Sequence, residues 1–255
     1  METIVSSAIV DSYFQKLKAN LNIDTAIVGG GPSGLVAAYH LAKNGKKVAL
    51  FERKLAPGGG MWGGAMMFNQ IVAQKATKHL LDSFNITYQA HNNNHYLIDS
   101  VEATASLIYH ASNAGAAIFN CFSVEDVILK NDKVNGIVVN WGPVHAQNLY
   151  IDPLTITAKT VLESTGHPCE VASLTARKNG VKLDTATGGV AGERSLAMEE
   201  AEITTLENTR QIYPGLYVSG MAANGVHGGY RMGPIFGGML LSGEKVAKLI
   251  LQDLA

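Results

Sequence analysis

The stretch GGGPSG at residues 29–34 decides the fold of this chain. The apolar residues 25–28 precede it and predict a buried strand, and residues 35–42 follow it with the composition of a helix. A second apolar run at 47–51 predicts the next strand, and Glu52 comes directly after it. A strand, a glycine-rich turn, a helix, a second strand and an acidic residue in this order form the full dinucleotide-binding fingerprint.

Each part of this fingerprint has a physical role. Gly29 allows the tight turn, Gly31 lets the backbone approach a pyrophosphate, and Gly34 lets the helix pack closely on the strand. The free N–H groups and the positive dipole at the start of the helix hold the phosphates. Glu52 can accept hydrogen bonds from the adenosine ribose, and its charge repels a 2′-phosphate. The motif therefore predicts NAD or FAD in preference to NADP.

Composition limits the remaining possibilities. The chain has 255 residues, of which 47% are hydrophobic and 16% charged, and its formal net charge is −1. A balanced charge gives no reason to expect nucleic acid or an anionic membrane as a partner. Two cysteines, Cys121 and Cys169, form neither a disulfide framework nor a metal knuckle, which favours a cytoplasmic protein. No signal-peptide pattern and no apolar run near the ~20 residues of a membrane span is present.

Periodicity and turn residues predict one α/β domain over residues 1–255. It is a Rossmann-like parallel sheet with helices, and it contains an inserted antiparallel β-segment at about 86–156. We predict an amphipathic helix at the N-terminus that carries residues 9–17, and a loop at 57–64 that lies over a bound nucleotide. Further helices are predicted at 70–84, 98–114 and 236–254. Further strands are predicted at 124–130 and 134–141 as a hairpin, at 160–164, and at 216–219.

The second half of a flavin site is altered. Flavoproteins with this first motif usually carry Gly-Asp at the end of a late strand, and the carboxylate accepts a hydrogen bond from the ribityl chain. Here that place holds Gly220 and Met221. A thioether cannot replace a carboxylate acceptor. The change favours a ligand that shares only the ADP half of FAD, although an FAD-dependent oxidoreductase remains an alternative.

Four groups of residues together resemble the thiamine thiazole synthases of the eukaryotic and archaeal type. They are 29–34 with the Glu-Arg pair at 52–53, residues 57–64, the IDP and TGH triplets at 151–153 and 165–167, and RMGPIFGG at 231–238. The resemblance covers nearly the whole chain. It implies an enzyme that builds the thiazole half of thiamine from NAD and glycine. NAD would be a consumed substrate, with nicotinamide released and an ADP-linked thiazole carboxylate formed.

The resemblance also implies which residues form the site. Asp152 and His167 correspond to iron(II) ligands, and Arg231 to the residue that grips the glycine carboxylate through its guanidinium fork. From the residues alone, an Asp-Pro turn and one histidine after a strand would be structural. Two protein ligands are too few for a closed metal site, so substrate atoms would complete it. The positions that match nucleotide contacts are Gly29, Gly31, Ser33, Gly34, Glu52, Arg53, Gly60, Val124, Tyr150, Ile151, Asp152 and Met221. Lesser candidates for proton transfer are His145 and His227.

Tyr150 departs from the family pattern. Most eukaryotic members carry a sulfur-donating cysteine at this position and turn over once, whereas archaeal relatives with histidine use free sulfide and iron(II) repeatedly. A phenol cannot donate sulfur, and Cys121 and Cys169 do not match the donor position. The resemblance therefore implies a sulfide-dependent catalyst, and an octameric homo-oligomer with sites near subunit contacts. Tyr150 also leaves open a non-catalytic NAD-binding protein.

Overall fold

The computed structural model describes residues 1–255 and contains nine α-helices and thirteen strands. The helices are α1 Glu2–Ala19, α2 Pro32–Lys43, α3 Lys78–Ser83, α4 Ser100–Asn113, α5 Gly142–Ala146, α6 Glu170–Asn179, α7 Met198–Asn208, α8 Met221–His227 and α9 Gly237–Asp253. The strands are β1 Asn22–Val28, β2 Val48–Glu52, β3 Gln70–Gln74, β4 Gln89–Ala90, β5 His95–Asp99, β6 Ala117–Asn120, β7 Phe122–Lys130, β8 Lys133–Trp141, β9 Leu154–Glu163, β10 Arg194–Leu196, β11 Arg210–Tyr213, β12 Leu216–Val218 and β13 Tyr230–Arg231.

The main sheet has the order β11-β12-β9-β1-β2-β6. Its strands β12, β9, β1, β2 and β6 are parallel, and β11 is an antiparallel edge strand. Side chains alternate between the two faces, as the pleat of a strand requires. Ile27 and Leu50 belong to the core on the face that packs on α2 and α9, whereas Ala26 and Ala49 belong to the core beneath the β7-β8 hairpin. The predicted Rossmann-like α/β sheet is confirmed.

The first strand–helix–strand unit forms where the glycine motif predicts it, as β1, α2 and β2. Gly29 has φ +99°, and a Cβ there would lie 2.4 Å from the carbonyl oxygen of Ser164. A Cβ on Gly34 would lie 2.4 Å from the carbonyl oxygen of Gly29. Only glycine fits at these two positions, and the close approach sets how α2 leaves the strand.

The helix predicted at 70–84 is wrong over its first half. Residues Gln70–Gln74 form strand β3, which pairs antiparallel with β5, and a short 3₁₀ turn separates it from α3. Ile71 and Ala73 are buried while their neighbours are less so, which is the period of a strand. The helix predicted from residue 98 begins at Ser100. Asp99 caps it because its side chain accepts hydrogen bonds from the backbone N–H groups of residues 101 and 102.

The antiparallel strands that we expected in one segment at about 86–156 occur in two places. The sheet β3-β5-β4 lies within residues 70–99, and the hairpin β7-β8 joins the first part of β9. Between them, β6 pairs parallel with β2 in the main sheet. The hairpin itself is confirmed. The strand predicted at 160–164 begins earlier, at Leu154, because β8 pairs with its first residues.

Helix α1 forms at the N-terminus, but it buries only Leu17. The apolar side chains of its first turns lie in solvent, namely Ile4, Val5, Ile9, Val10 and Phe14. None of the helices in the chain combines the length and apolar character needed to cross a membrane.

Candidate functional site

A cavity of about 670 Å³ opens at the carboxyl ends of β1, β2 and β9. This edge of a parallel sheet is where nucleotides bind in proteins of this architecture. The cavity is lined by the glycine-rich turn, by the residues that follow β2 and β9, by the start of α8, and by the loop between β13 and α9. Its volume suits an extended ligand of dinucleotide class.

The glycine-rich turn leaves space for phosphates. A Cβ built on Gly31 would have no neighbour closer than 4.0 Å, and one built on Gly60, which also lines the cavity, would have none within 4 Å. Gly31 also precedes α2, whose first turn has no side-chain cap. Uncapped N–H groups at a helix start attract anions. Ser33 lines the cavity at the same place.

Glu52 is part of the turn as well as a candidate ligand contact. Its side chain is buried; Oε2 accepts a hydrogen bond from the Gly30 N–H at 2.8 Å, and Oε1 accepts one from the Lys54 N–H at 2.8 Å. Each carboxylate oxygen keeps a second lone pair for a ribose hydroxyl. The carboxylate therefore fixes the loop against which an adenosine would lie.

Two charged residues meet at one side of the cavity. Arg53 follows β2 and forms an ion pair with Glu170, the first residue of α6, and both line the cavity. Val124 of β7 and Met221 of α8 line it too. The nucleotide contacts expected of Arg53, Val124 and Met221 stay predictions.

His167 stands at the end of β9, after Gly166 in the left-handed region with φ +81°. Its Nδ1 lies 2.6 and 2.7 Å from the two carboxylate oxygens of Glu193. The side chain of His167 is half exposed and lines the cavity. Glu193 lies in an irregular segment 26 residues away, and no sequence motif pointed to it.

Glu163, the last residue of β9, is another carboxylate beside this loop that the sequence did not indicate. It is fully buried, and its oxygens accept hydrogen bonds from the backbone N–H groups of Thr165, Val171 and Ala172. Burial raises the pKa of this carboxyl above its usual range. These bonds tie the loop that carries His167 to the first turn of α6.

Arg231 lines the cavity from β13, which pairs with β10. Its side chain is exposed and forms no ion pair with a carboxylate of this chain. The guanidinium fork is therefore free for a carboxylate ligand.

The remaining predicted site residues lie outside this cavity. Tyr150 is fully exposed, Ile151 and Asp152 are also exposed, and none of the three lines the cavity. Asp152 precedes β9 and His167 follows it, and the structure does not bring the two together within one chain. No group of three histidine, cysteine, aspartate or glutamate side chains is arranged to hold a metal ion.

The cysteines and the other histidines do not contribute to the cavity either. Cys169 is buried, and its Sγ lies 3.5–3.6 Å from the carbonyl oxygens of residues 166, 167 and 222. Burial raises the pKa of this thiol far above its usual range. Cys121 is half-buried, and His145 is exposed on α5. Burial lowers the pKa of His227 to about 4.

Comparison with known proteins agrees with this architecture over the full chain. The thiamine thiazole synthase of Desulfosudis oleivorans is 54% identical over 253 residues, which are 99% of this chain and 98% of that protein. The enzyme of the same name from Methanothermobacter thermautotrophicus is 50% identical, over 98% of this chain and 97% of that protein.

Solved structures also share this fold. The crystal structure of Thermovibrio ammonificans THI4 superposes with a TM-score of 0.98 at 50% identity and covers 100% of this chain and 98% of that one. A glycine oxidase from Bacillus cereus shares the fold alone, with a TM-score of 0.51 at 14% identity over 90% of this chain and 97% of its own. A family model described as the Thi4 family matches residues 6–236. The chain therefore belongs to the Thi4 family.

Proposed function

We propose that this protein is a thiamine thiazole synthase that converts NAD, glycine and sulfide into an ADP-linked thiazole carboxylate. It releases nicotinamide, depends on iron(II) and turns over repeatedly. The observation that carries the proposal is one cavity lined by the glycine-rich turn together with His167 and Arg231, of which Arg231 forms no ion pair and His167 uses only its Nδ1 within the chain. The relatives that cover the whole chain are named for this activity.

The ADP half of the ligand fits the end of the cavity formed by the turn. The uncapped start of α2 holds the pyrophosphate, and Glu52 accepts hydrogen bonds from the adenosine ribose. Met221 begins α8 where a flavoprotein would offer a carboxylate, so nothing there holds a flavin ribityl chain. This supports NAD as the substrate in preference to FAD as a cofactor.

Arg231, which lines the same cavity, holds the carboxylate of glycine. A planar guanidinium donates two parallel hydrogen bonds to a carboxylate and fixes its orientation, whereas an ammonium acts as a point charge. We expect Arg231→Lys to stop the reaction at the level of ADP-ribose intermediates, with little glycine adduct by mass spectrometry. Arg194, which stacks on Tyr230 of β13, offers a matched Arg→Lys control on β10. Wild-type dependence on glycine in the Arg231 variant would rule the role out.

The donor types of His167 and Asp152 fit iron(II). An imidazole nitrogen and a carboxylate oxygen suit this ion, which would present sulfide to the substrate and complete its coordination with substrate atoms. Asp152 is exposed outside the cavity of its own chain and directly follows three exposed hydrophobic residues, Leu149–Ile151. We therefore place Asp152 at the cavity of a second copy, in a homo-oligomer whose contacts bury that run.

The sulfur comes from free sulfide. Tyr150 cannot donate sulfur, and the thiol of Cys169 is buried against three carbonyl oxygens. Burial keeps that thiol protonated, and the thiolate is the reactive form of cysteine. Since the chain sacrifices no residue, one protein molecule makes many products.

The deciding experiment is an oxygen-free incubation with NAD, glycine, sulfide and iron(II), followed by mass analysis. The expected product is the adenylated thiazole, in excess over protein, with the protein mass unchanged. An FAD-dependent oxidoreductase would instead release stoichiometric FAD on denaturation. A non-catalytic NAD-binding protein would bind NAD but release no nicotinamide in the presence of glycine. Either outcome contradicts the proposal.

A further inference from the structure

Glu193 is the one carboxylate in direct contact with the side chain of His167. Both of its oxygens lie within hydrogen-bond distance of Nδ1, at 2.6 and 2.7 Å. Its side chain is 17% exposed and that of His167 is 50% exposed, so the carboxylate lies behind the imidazole and the ring faces the opening. Glu193 does not itself line the cavity.

The backbone holds Glu193 in this position. The N–H of Gly192 donates to the carbonyl oxygen of Gly225 at 2.9 Å, and the N–H of Arg194 donates to that of Gly229 at 2.9 Å. The residues on both sides of Glu193 are thus fixed to the end of α8 and the turn after it. A carboxylate on a fixed backbone holds its partner in one orientation.

This contact determines which ring nitrogen of His167 is available. An ionised carboxylate only accepts hydrogen bonds, so Nδ1 must carry the proton that it donates to Glu193. In the neutral ring the lone pair then resides on Nε2, the nitrogen that remains free. A histidine ligand in proteins commonly has this arrangement, with its second nitrogen donating to a carboxylate.

We propose that Glu193 is a positioning residue that fixes the Nδ1–H tautomer and the orientation of His167, and thereby sets the affinity of this histidine for a divalent metal ion. The part that concerns metal rests on the proposed function, because it takes His167 as a ligand. The part that concerns the tautomer is independent of it.

The tautomer is measured first, in metal-free protein. Long-range ¹H–¹⁵N spectra of histidine-labelled protein distinguish the two tautomers, and His167→Ala assigns the signals. We expect Nδ1–H in the wild type and a shift toward Nε2–H in Glu193→Ala. Glu193→Gln should keep Nδ1–H, because its amide oxygen still accepts the hydrogen bond. An unchanged tautomer in Glu193→Ala overturns the proposal.

Metal affinity is measured second, by titration of the same proteins with Mn²⁺. Loss of an outer-shell carboxylate lowers metal affinity about 10–100-fold, so we expect this range for Glu193→Ala and a smaller loss for Glu193→Gln. Glu244→Ala is the matched control, because Glu244 also pairs with a histidine. Its carboxylate lies 3.4 Å from Nε2 of His79, and neither residue lines the cavity. The control should bind Mn²⁺ like the wild type, and NAD affinity should stay unchanged in all variants.

The outcomes separate the two proposals. If the wild type binds no Mn²⁺, the metal site of the proposed function fails, and with it the metal part of this inference. If the wild type binds and Glu193→Ala binds equally well, only the role of Glu193 fails. A parallel loss of NAD affinity and melting temperature in Glu193→Gln would assign Glu193 to general stability and overturn the positioning role.

Discussion

Replacing Glu52 by alanine tests whether the carboxylate at the end of β2 has two roles. In the structure it accepts one hydrogen bond from the buried Gly30 N–H and one from the less buried Lys54 N–H, both at 2.8 Å. Hydrogen bonds to a charged group contribute about 1.5–3 kcal/mol each. Because the Lys54 bond is partly exposed to water, we expect a total loss of about 2–3 kcal/mol in the free energy of unfolding.

Two measurements separate the structural role from ligand binding. A loss of about 2 kcal/mol lowers the melting temperature by roughly 4–8 °C in a domain of this size. Loss of a hydrogen bond between the carboxylate and a ribose hydroxyl lowers NAD affinity about ten- to a hundredfold. Glu199→Ala, an exposed acidic residue on α7, controls for the lost charge.

The ratio of NAD to NADP affinity shows whether Glu52 contacts the adenosine ribose. The charge of Glu52 disfavours a 2′-phosphate, so Glu52→Ala should weaken NAD binding more than NADP binding and lower the ratio of their affinities. If the melting temperature falls and this ratio stays at the wild-type value, Glu52 supports the loop but does not contact the ribose. An unchanged melting temperature would refute the reasoning from the two backbone bonds.

Three further predictions concern sulfur, assembly and pH. The double variant Cys121→Ser, Cys169→Ser should still form thiazole over many turnovers with added sulfide, and loss of product in a folded protein would show that a cysteine supplies the sulfur. Co-expressed Asp152→Ala and His167→Ala chains should recover about a quarter of the wild-type sites, since each site would combine residues of two copies; no recovery in mixed oligomers would contradict a shared site. Burial raises the pKa of Glu202 from 4.5 to about 7, so the folded state holds the proton more tightly than the unfolded state and loses stability as pH rises through this window. Glu202→Gln should lack this component, so the wild-type minus variant free energy of unfolding should fall as pH rises from 4.5 to about 7, and a flat difference plot would refute the prediction.

The sequence predicted the part of the fold whose constraints are local. The turn at 29–34 needs glycine because backbone atoms crowd it, and the strands beside it are continuous apolar runs, so β1, α2 and β2 were correctly predicted. The first half of the helix predicted at 70–84 was wrong because Gln70–Gln74 takes its conformation from pairing with β5, some twenty-five residues further along the chain, whereas α3 forms in the second half. A long-range pairing of this kind leaves only a weak local pattern.

In the candidate site, too, the residues within local motifs were predicted and those placed by long-range contacts were not. Arg231 and His167 were identified through motifs, and both line the cavity. Glu193 was missed because its role depends on the backbone bonds that place an irregular segment beside α8. Glu163 was missed because nothing in the sequence explains an acidic residue in a buried strand. Its role becomes visible only in the structure, where it accepts hydrogen bonds from two backbone N–H groups of α6.

The two carboxylates that sequence patterns did not indicate support the same short loop from opposite sides. Glu163 binds backbone N–H groups at both ends of the loop that carries His167, and Glu193 binds the imidazole itself. Gly166 supplies the left-handed backbone directly before His167, which lines the cavity. The loop is therefore fixed at its backbone and at its side chain before any ligand arrives. Such preorganisation suits the metal-binding role that we propose for His167, because no binding energy would be lost in ordering the ring.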